Sequence, residues 1–175
     1  MFEDVDFQPN NESIGHEVVQ KLEGREIVWL HPAEIAGASN PILFKDIASP
    51  FDVAQGLLGD CFLVSALALV ASQSRLLQTL IRPSRKKRGC FKVRLWECGC
   101  DSVVVVDDLI PCCANQRLPI FARCRDPNQF WVPLVEKAAA KLKGCYAALI
   151  GGHIAECLHA FTGSLHKQSI AWVRL

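Results

Sequence analysis

Apolar positions recur along the chain with two periods, and the switch from one to the other predicts the elements. From Cys61 to Ala71 the residues are apolar and mostly small, broken only by Ser65, which predicts a buried helix. The preceding Gln55-Gly56-Leu57-Leu58-Gly59-Asp60 predicts the loop that feeds it. Leu76-Leu77-Gln78-Thr79-Leu80-Ile81 continues at helical spacing until Pro83 ends it. Phe91-Lys92-Val93-Arg94-Leu95-Trp96 alternates apolar and charged residues, the pattern of a half-buried strand. Val103 to Val106 is an unbroken β-branched run, which predicts a strand covered on both faces. Cys98-Gly99-Cys100-Asp101 turns one into the other, giving a small antiparallel hairpin, and Asp107-Asp108 cap and solvate its end.

Farther on, Trp131, Leu134, Val135, Ala138, Ala139 and Leu142 share a helical face. Asp126-Pro127-Asn128 signals its start, Pro133 fits only within the first turn, and Gly144 closes it. Weaker patterns predict a short helix from Ser13 to Leu22, an extended segment from Ile27 to Leu30 stopped at Pro32, and a last helical piece from Ile154 to Phe161. Residues 37–54 read as an irregular approach to the cysteine loop. The sum is a predominantly helical α+β domain, with a central helix led by Cys61, other helices around it and a small antiparallel sheet alongside.

The composition narrows the classes. At 175 residues, half of them apolar and with a net charge of +1, the chain has material for one sizeable core and suggests neither a nucleic-acid binder nor a disordered segment. Met1-Phe2-Glu3-Asp4-Val5-Asp6 is acidic where a signal peptide is basic, and the run from Cys61 to Ala71 is too short to span a bilayer. A soluble, cytoplasmic protein is expected, in which the nine cysteines remain thiols. Cys98-Gly99-Cys100 with Cys112-Cys113 lacks the spacing of familiar zinc sites. Ser84-Arg85-Lys86-Lys87-Arg88-Gly89 reads as a solvated loop.

Candidate chemistry concentrates at Cys61. The first turn of a helix carries unpaired N–H groups and partial positive charge, so a thiolate there is favoured over the thiol. Asp60 can serve as the N-cap, Gly59 and Asp60 can meet a substrate, and the Gln55 amide can donate to a developing oxyanion. Taken alone, such a cysteine reads first as a structural thiol on a core helix.

It does not stand alone. Gln55-Gly56-Leu57-Leu58-Gly59-Asp60-Cys61-Phe62-Leu63 resembles the nucleophile segment of the calpain family of cysteine endopeptidases, with Phe62 where tryptophan is usual. Ile27-Val28-Trp29-Leu30-His31-Pro32 is similar to the family's Trp-x-Arg-Pro element, with His31 where arginine is usual. Val103 to Pro111 resembles its apolar strand ending in a double aspartate, and Asn128 to Gly144 its Phe-Trp…Leu-Glu-Lys-Ala helix. Tyr146, Gly151-Gly152 and Phe161-Thr162-Gly163 follow in family order. The wording is closer to the small-optic-lobes branch than to the calcium-activated calpains. On this resemblance residues 1–24 are an N-terminal extension, 25–163 the cysteine-bearing part of a papain-like core, and 164–175 a divergent tail.

The resemblance implies a cysteine-type endopeptidase acting in limited intracellular proteolysis, with Cys61 as nucleophile and Gln55 in the oxyanion hole. Papain-like enzymes place their histidine and asparagine about 130–150 residues after the cysteine, beyond Leu175. None of His16, His31, His153, His159 and His166 sits in the family's histidine motif. The chain therefore reads as the nucleophile half, inactive alone, acting on protein substrates when another chain supplies the missing half. The alternative is a truncated, non-catalytic calpain that binds substrates or partners. The family also implies calcium, through a carboxylate at Asp52 and another immediately before Phe-Trp. Gln129 stands at the second position and Ile47-Ala48-Ser49-Pro50 lacks the family's glycines, so weak or absent calcium binding is expected.

Overall fold

The computed structural model describes residues 2–22, 24–45, 49–97 and 99–163. The predicted tail 164–175, the turn residue Cys98 and the loop residues Ile47 and Ala48 lie outside them. In chain order the elements are α1 (Asn11–Ile14), α2 (His16–Lys21), β1 (Ile27–Leu30), β2 (Val53–Ala54), α3 (Cys61–Ala71), α4 (Ser74–Leu80) and β3 (Ile81–Pro83). Then follow β4 (Cys90–Glu97), β5 (Cys100–Asp107), β6 (Ile110–Cys113), β7 (Leu118–Pro119), β8 (Arg123–Cys124), α5 (Trp131–Lys143) and α6 (Ile154–Thr162). Short 3-10 turns cover Pro32–Glu34, Pro50–Asp52 and Tyr146–Leu149.

Among the described residues the named strands pair antiparallel, in two three-stranded sheets, β1-β6-β7 and β3-β4-β5, and one two-stranded ribbon of β2 with β8, with an isolated parallel bridge between Ile42 and Gln129. The helix led by Cys61 packs on α6 and α4, while α5 lies against β5, β8 and the Tyr146–Leu149 turn. The expected α+β architecture is present, with α3 and α5 at its centre. Trp131, Tyr146 and Phe121 are its largest buried side chains. No single helix among the described residues is long and apolar enough to cross a membrane.

Four local expectations change. The helix expected from Ser13 is two helices, because Gly15 has φ +94° and a Cβ there would stand 2.4 Å from the Ala147 Cβ. Ile81 and Pro83 leave the helical run and form the edge strand β3, where proline's missing N–H breaks no ladder bond. Val103 is exposed while Val104 and Val106 are buried, because β5 is an edge strand covered on one face only. Helices stand where the pattern predicts them, over Cys61–Ala71, Trp131–Lys143 and Ile154–Thr162, and Gly144 at φ +102° closes the second as expected, while its N-cap is Phe130 rather than a residue of Asp126-Pro127-Asn128.

The fourth change concerns Asp107 and Asp108, which do not solvate a strand end. Asp107 is buried and forms an ion pair with Lys137 of α5, and it accepts the N–H groups of Asp4 and Leu109, each at 3.0 Å. Asp108 accepts from or pairs with His31 Nδ1 at 2.8 Å. Lys137 donates also to the Leu109 carbonyl at 2.8 Å and lies under the Trp29 ring, 5.3 Å from its centroid. One turn farther along α5, Lys141 Nζ holds Asp4 at 2.6 Å and the Val105 carbonyl at 2.9 Å. Residues ahead of β1 are thereby tied to α5, and Phe7, Ile14, Val18 and Leu22 are part of the buried core.

Burial of Lys137 is tolerable only with its partner in place, so removing the cation leaves an uncompensated carboxylate. Lys137→Met is expected to lower stability by roughly 3–5 kcal/mol, read from urea unfolding.

Candidate active site

The site is built on the start of α3. Cys61 is its first residue and is exposed, while Leu63, Val64, Ala66 and Leu67 behind it are buried. The Asp60 carbonyl accepts the Leu63 and Val64 N–H groups at 2.9 and 3.1 Å, which leaves the Cys61 and Phe62 amides in the unpaired first turn. A thiol therefore stands at the positive end of a helix whose body is locked in the core.

Two backbone segments hold the loop ahead of it. The Ile120 carbonyl accepts the Leu57 N–H at 2.8 Å, and a Cβ at Gly56 would stand 2.1 Å from the Phe121 carbonyl oxygen. On the other flank the Gly59 carbonyl accepts the Gly151 N–H at 3.2 Å, and the Phe62 ring lies against Gly152. Gly56 is thus required by close approach, whereas a Cβ at Gly59 would meet only the Ile150 Cγ2, at an ordinary 3.5 Å. Gln55 donates one amide hydrogen to the Leu58 carbonyl at 2.9 Å, which orients the side chain and leaves its second N–H to give.

Asp60 differs from its expected role. It occupies the N-cap position, but its side chain makes no cap bond and has no exposed surface to offer a substrate. Its carboxyl instead faces Glu136 of α5 in the interior, and burial raises the pKa of both groups. Glu136 was not a sequence candidate. Its sign in the sequence was its place in the Glu136-Lys137-Ala138 part of the segment that resembles the family's Leu-Glu-Lys-Ala helix, two residues ahead of an alanine run that the fold buries.

An apolar groove of about 330 Å³ begins at Phe62, beside Cys61, and is lined by Trp96, Leu142, Gly152 and Phe161. A second cleft of about 270 Å³ is bounded by Gln55, Gly56, Leu57, Arg25 and Arg123. Among the histidines, His31 is engaged with Asp108, and His153 occupies the N-cap position of α6 without a side-chain cap bond. His166 lies outside the described residues. Of the cysteines read for zinc, Cys100 is exposed, and burial pushes the Cys112 thiol up to about 12.

The residues at the implied calcium position do not fit the ion. Asp52 already accepts the Ser49 N–H at 3.0 Å through one oxygen. The Gln129 oxygen accepts the Lys45 N–H at 3.1 Å, and its buried amide nitrogen is a donor without an acceptor. The Lys45 ammonium sits 2.7 Å from Asp126 and its charge also reaches Asp52. Calcium takes about six to eight oxygens, with carboxylates among them, and here one carboxylate stands beside an ammonium and an N–H donor.

Two outcomes are expected. Gly56→Ala destabilises by about 1–3 kcal/mol through the clash with Phe121, while Gly59→Ala stays within about 0.5 kcal/mol; both are read by urea unfolding. Calorimetric titration shows no micromolar calcium site, and one lost in Asp52→Ala overturns this.

The sequence matches the family described as calpain family cysteine protease over residues 2–171. It is 38% identical over 172 residues to calpain-5 of Caenorhabditis elegans, covering 94% of this chain and 26% of that protein. It is 39% identical over 173 residues to the calpain-type cysteine protease DEK1 of Arabidopsis thaliana, covering 95% of this chain and 8% of that protein. With calpain-10 of Mus musculus it shares 35% identity over 176 residues, 96% of this chain and 26% of that protein. The chain thus spans about a quarter or less of the length of these relatives. With an exposed cysteine leading a buried helix, and a family match running nearly end to end, the chain belongs to the calpain family of cysteine proteases.

Proposed function

We propose that Cys61 is the nucleophile of a cysteine endopeptidase and that this chain is the half of the catalytic core that carries it. The observation behind this reading is the exposed thiol at the first position of α3, where the helix supplies unpaired amides and Gln55 is held on the same loop. The thiolate attacks a peptide carbonyl, forming the S–C bond. The oxyanion receives the second Gln55 N–H and the Cys61 amide of the unpaired first turn. Expulsion of the amine needs an imidazole to protonate it and a third group to orient that imidazole. These are the histidine and asparagine of the other half, brought to Cys61 by an adjoining segment or a second chain.

The apolar groove at Phe62 supports a protein substrate, since it offers an extended peptide a place for a side chain next to the reacting carbonyl. Leu57 and Ile150, both exposed and flanking the loop, leave an apolar rim that a second half can cover. A cytoplasmic location accompanies this reading.

The test is hydrolysis of an unstructured protein by the purified chain, alone and mixed with the histidine-bearing half of a calpain core. Cleavage is expected on mixing, and Cys61→Ala is expected to lower kcat by on the order of 10⁶. Turnover by Cys61→Ala at the parent rate overturns the assignment. A mixture that stays inactive while binding the substrate moves the function to recognition without cleavage.

A further inference from the structure

Glu136 grips the nucleophile loop from both ends. Its carboxylate oxygens accept the Ala122 N–H, each at 3.1 Å, and Ala122 closes the 120–122 segment to which Gly56 and Leu57 are fastened. The same carboxyl interacts with that of Asp60, the residue immediately ahead of Cys61, and burial raises the pKa of both. Glu136 and Asp60 are buried, at 1% and 0% exposure, and neither buried Asp60 oxygen has a hydrogen-bond donor facing it.

Among the described residues neither carboxyl is in an ion pair. Lys137, next along α5, is engaged with Asp107 and the Leu109 carbonyl. The other titratable groups turned toward the pair are the Tyr146 phenol, from the turn after α5, and the Cys157 thiol of α6, both pushed up by burial. Two carboxyls placed face to face without a counter-charge cannot both be ionised.

We propose that Glu136 is a positioning residue for Cys61: Asp60 and Glu136 hold one proton between them, and this O–H···O bond together with the Ala122 N–H bond pins both ends of the nucleophile loop to α5. The proposal rests on the reading of Cys61 as the nucleophile and names what places it.

The shared proton has a measurable sign. A carboxyl whose folded pKa is raised contributes stability at low pH and loses it as pH rises above its unfolded value of about 4. Near neutrality the native chain keeps a proton that the unfolded chain has released. Glu136→Gln removes that linkage while keeping the geometry, since the amide oxygen accepts from Ala122 and the amide nitrogen donates to ionised Asp60. Glu136→Leu keeps comparable bulk and loses both bonds.

The experiment compares urea unfolding of the full chain and Glu136→Gln between about pH 6 and pH 8. The ratio of the parent's folding constant to the variant's is expected to fall about tenfold per pH unit, the effect of one retained proton. A flat ratio overturns the shared proton. In parallel, iodoacetamide alkylation of Cys61 is counted by mass spectrometry against Cys100, an exposed thiol in the same molecule. Glu136→Leu is expected to lower the Cys61 to Cys100 ratio about threefold or more as the thiol leaves the helix end, with Glu136→Gln restoring it. A folded Glu136→Leu chain with the parent's ratio overturns the positioning role; if that variant does not fold, the pH comparison decides. Neither readout needs turnover, so this proposal and the protease reading can fail independently.

Discussion

Glu136 and Lys137 stand side by side on α5 with almost no exposure, and a helix that carries an acid and a base into the core obliges the rest of the chain to answer both. The answers come from opposite directions. Lys137 draws in Asp107 from the end of β5, with the Leu109 carbonyl and the face of Trp29. Glu136 takes the Ala122 amide and the carboxyl ahead of Cys61. Sheet and the loop ahead of Cys61 are thus registered against the same turn of one helix.

This gives physical content to stretches that the sequence presents only as motifs. Trp29 covers the Lys137 ammonium, and His31, two residues on, pairs with Asp108. Because β1 pairs with β6, Leu30 opposite Ile110, the double aspartate lies next to both basic groups. Asp107 serves the buried one and Asp108 the half-exposed one. β1 with the residue that follows it, the end of β5 and the middle of α5 are therefore parts of one charge-balancing cluster.

The Cys61 thiol is mounted on a packed support. α3 is buried along most of its length, and its leading loop is wedged between the 120–122 backbone and Gly151. Cys61 is exposed at the head of the helix, as are Ser65 and Leu69 along one side, while Leu63, Val64, Ala66, Leu67, Val70 and Ala71 anchor it in the core. At the implied calcium position, by contrast, Lys45 and the Gln129 amide supply positive charge and N–H donors where a divalent cation needs oxygens. On either side of it Lys45 pairs with Asp126 and Ser49 caps the Pro50–Asp52 turn.

Much of this could be read directly from the chain. The bounds of α3, the proline-tolerant first turn and glycine stop of α5, the β4-β5 hairpin and the cysteine at a helix start all follow from local periodicity and end signals. Such signals depend on neighbours within a few residues. What they could not give was the exposure of Val103 on an edge strand, the strand role of Pro83, or the inward turn of Asp60 away from its cap position. Each depends on which distant segment lies alongside. The sequence by itself determined where the thiol stands and which helix carries it; only the tertiary structure decided what holds it there, because a buried carboxyl takes its partner from whatever the fold brings opposite it.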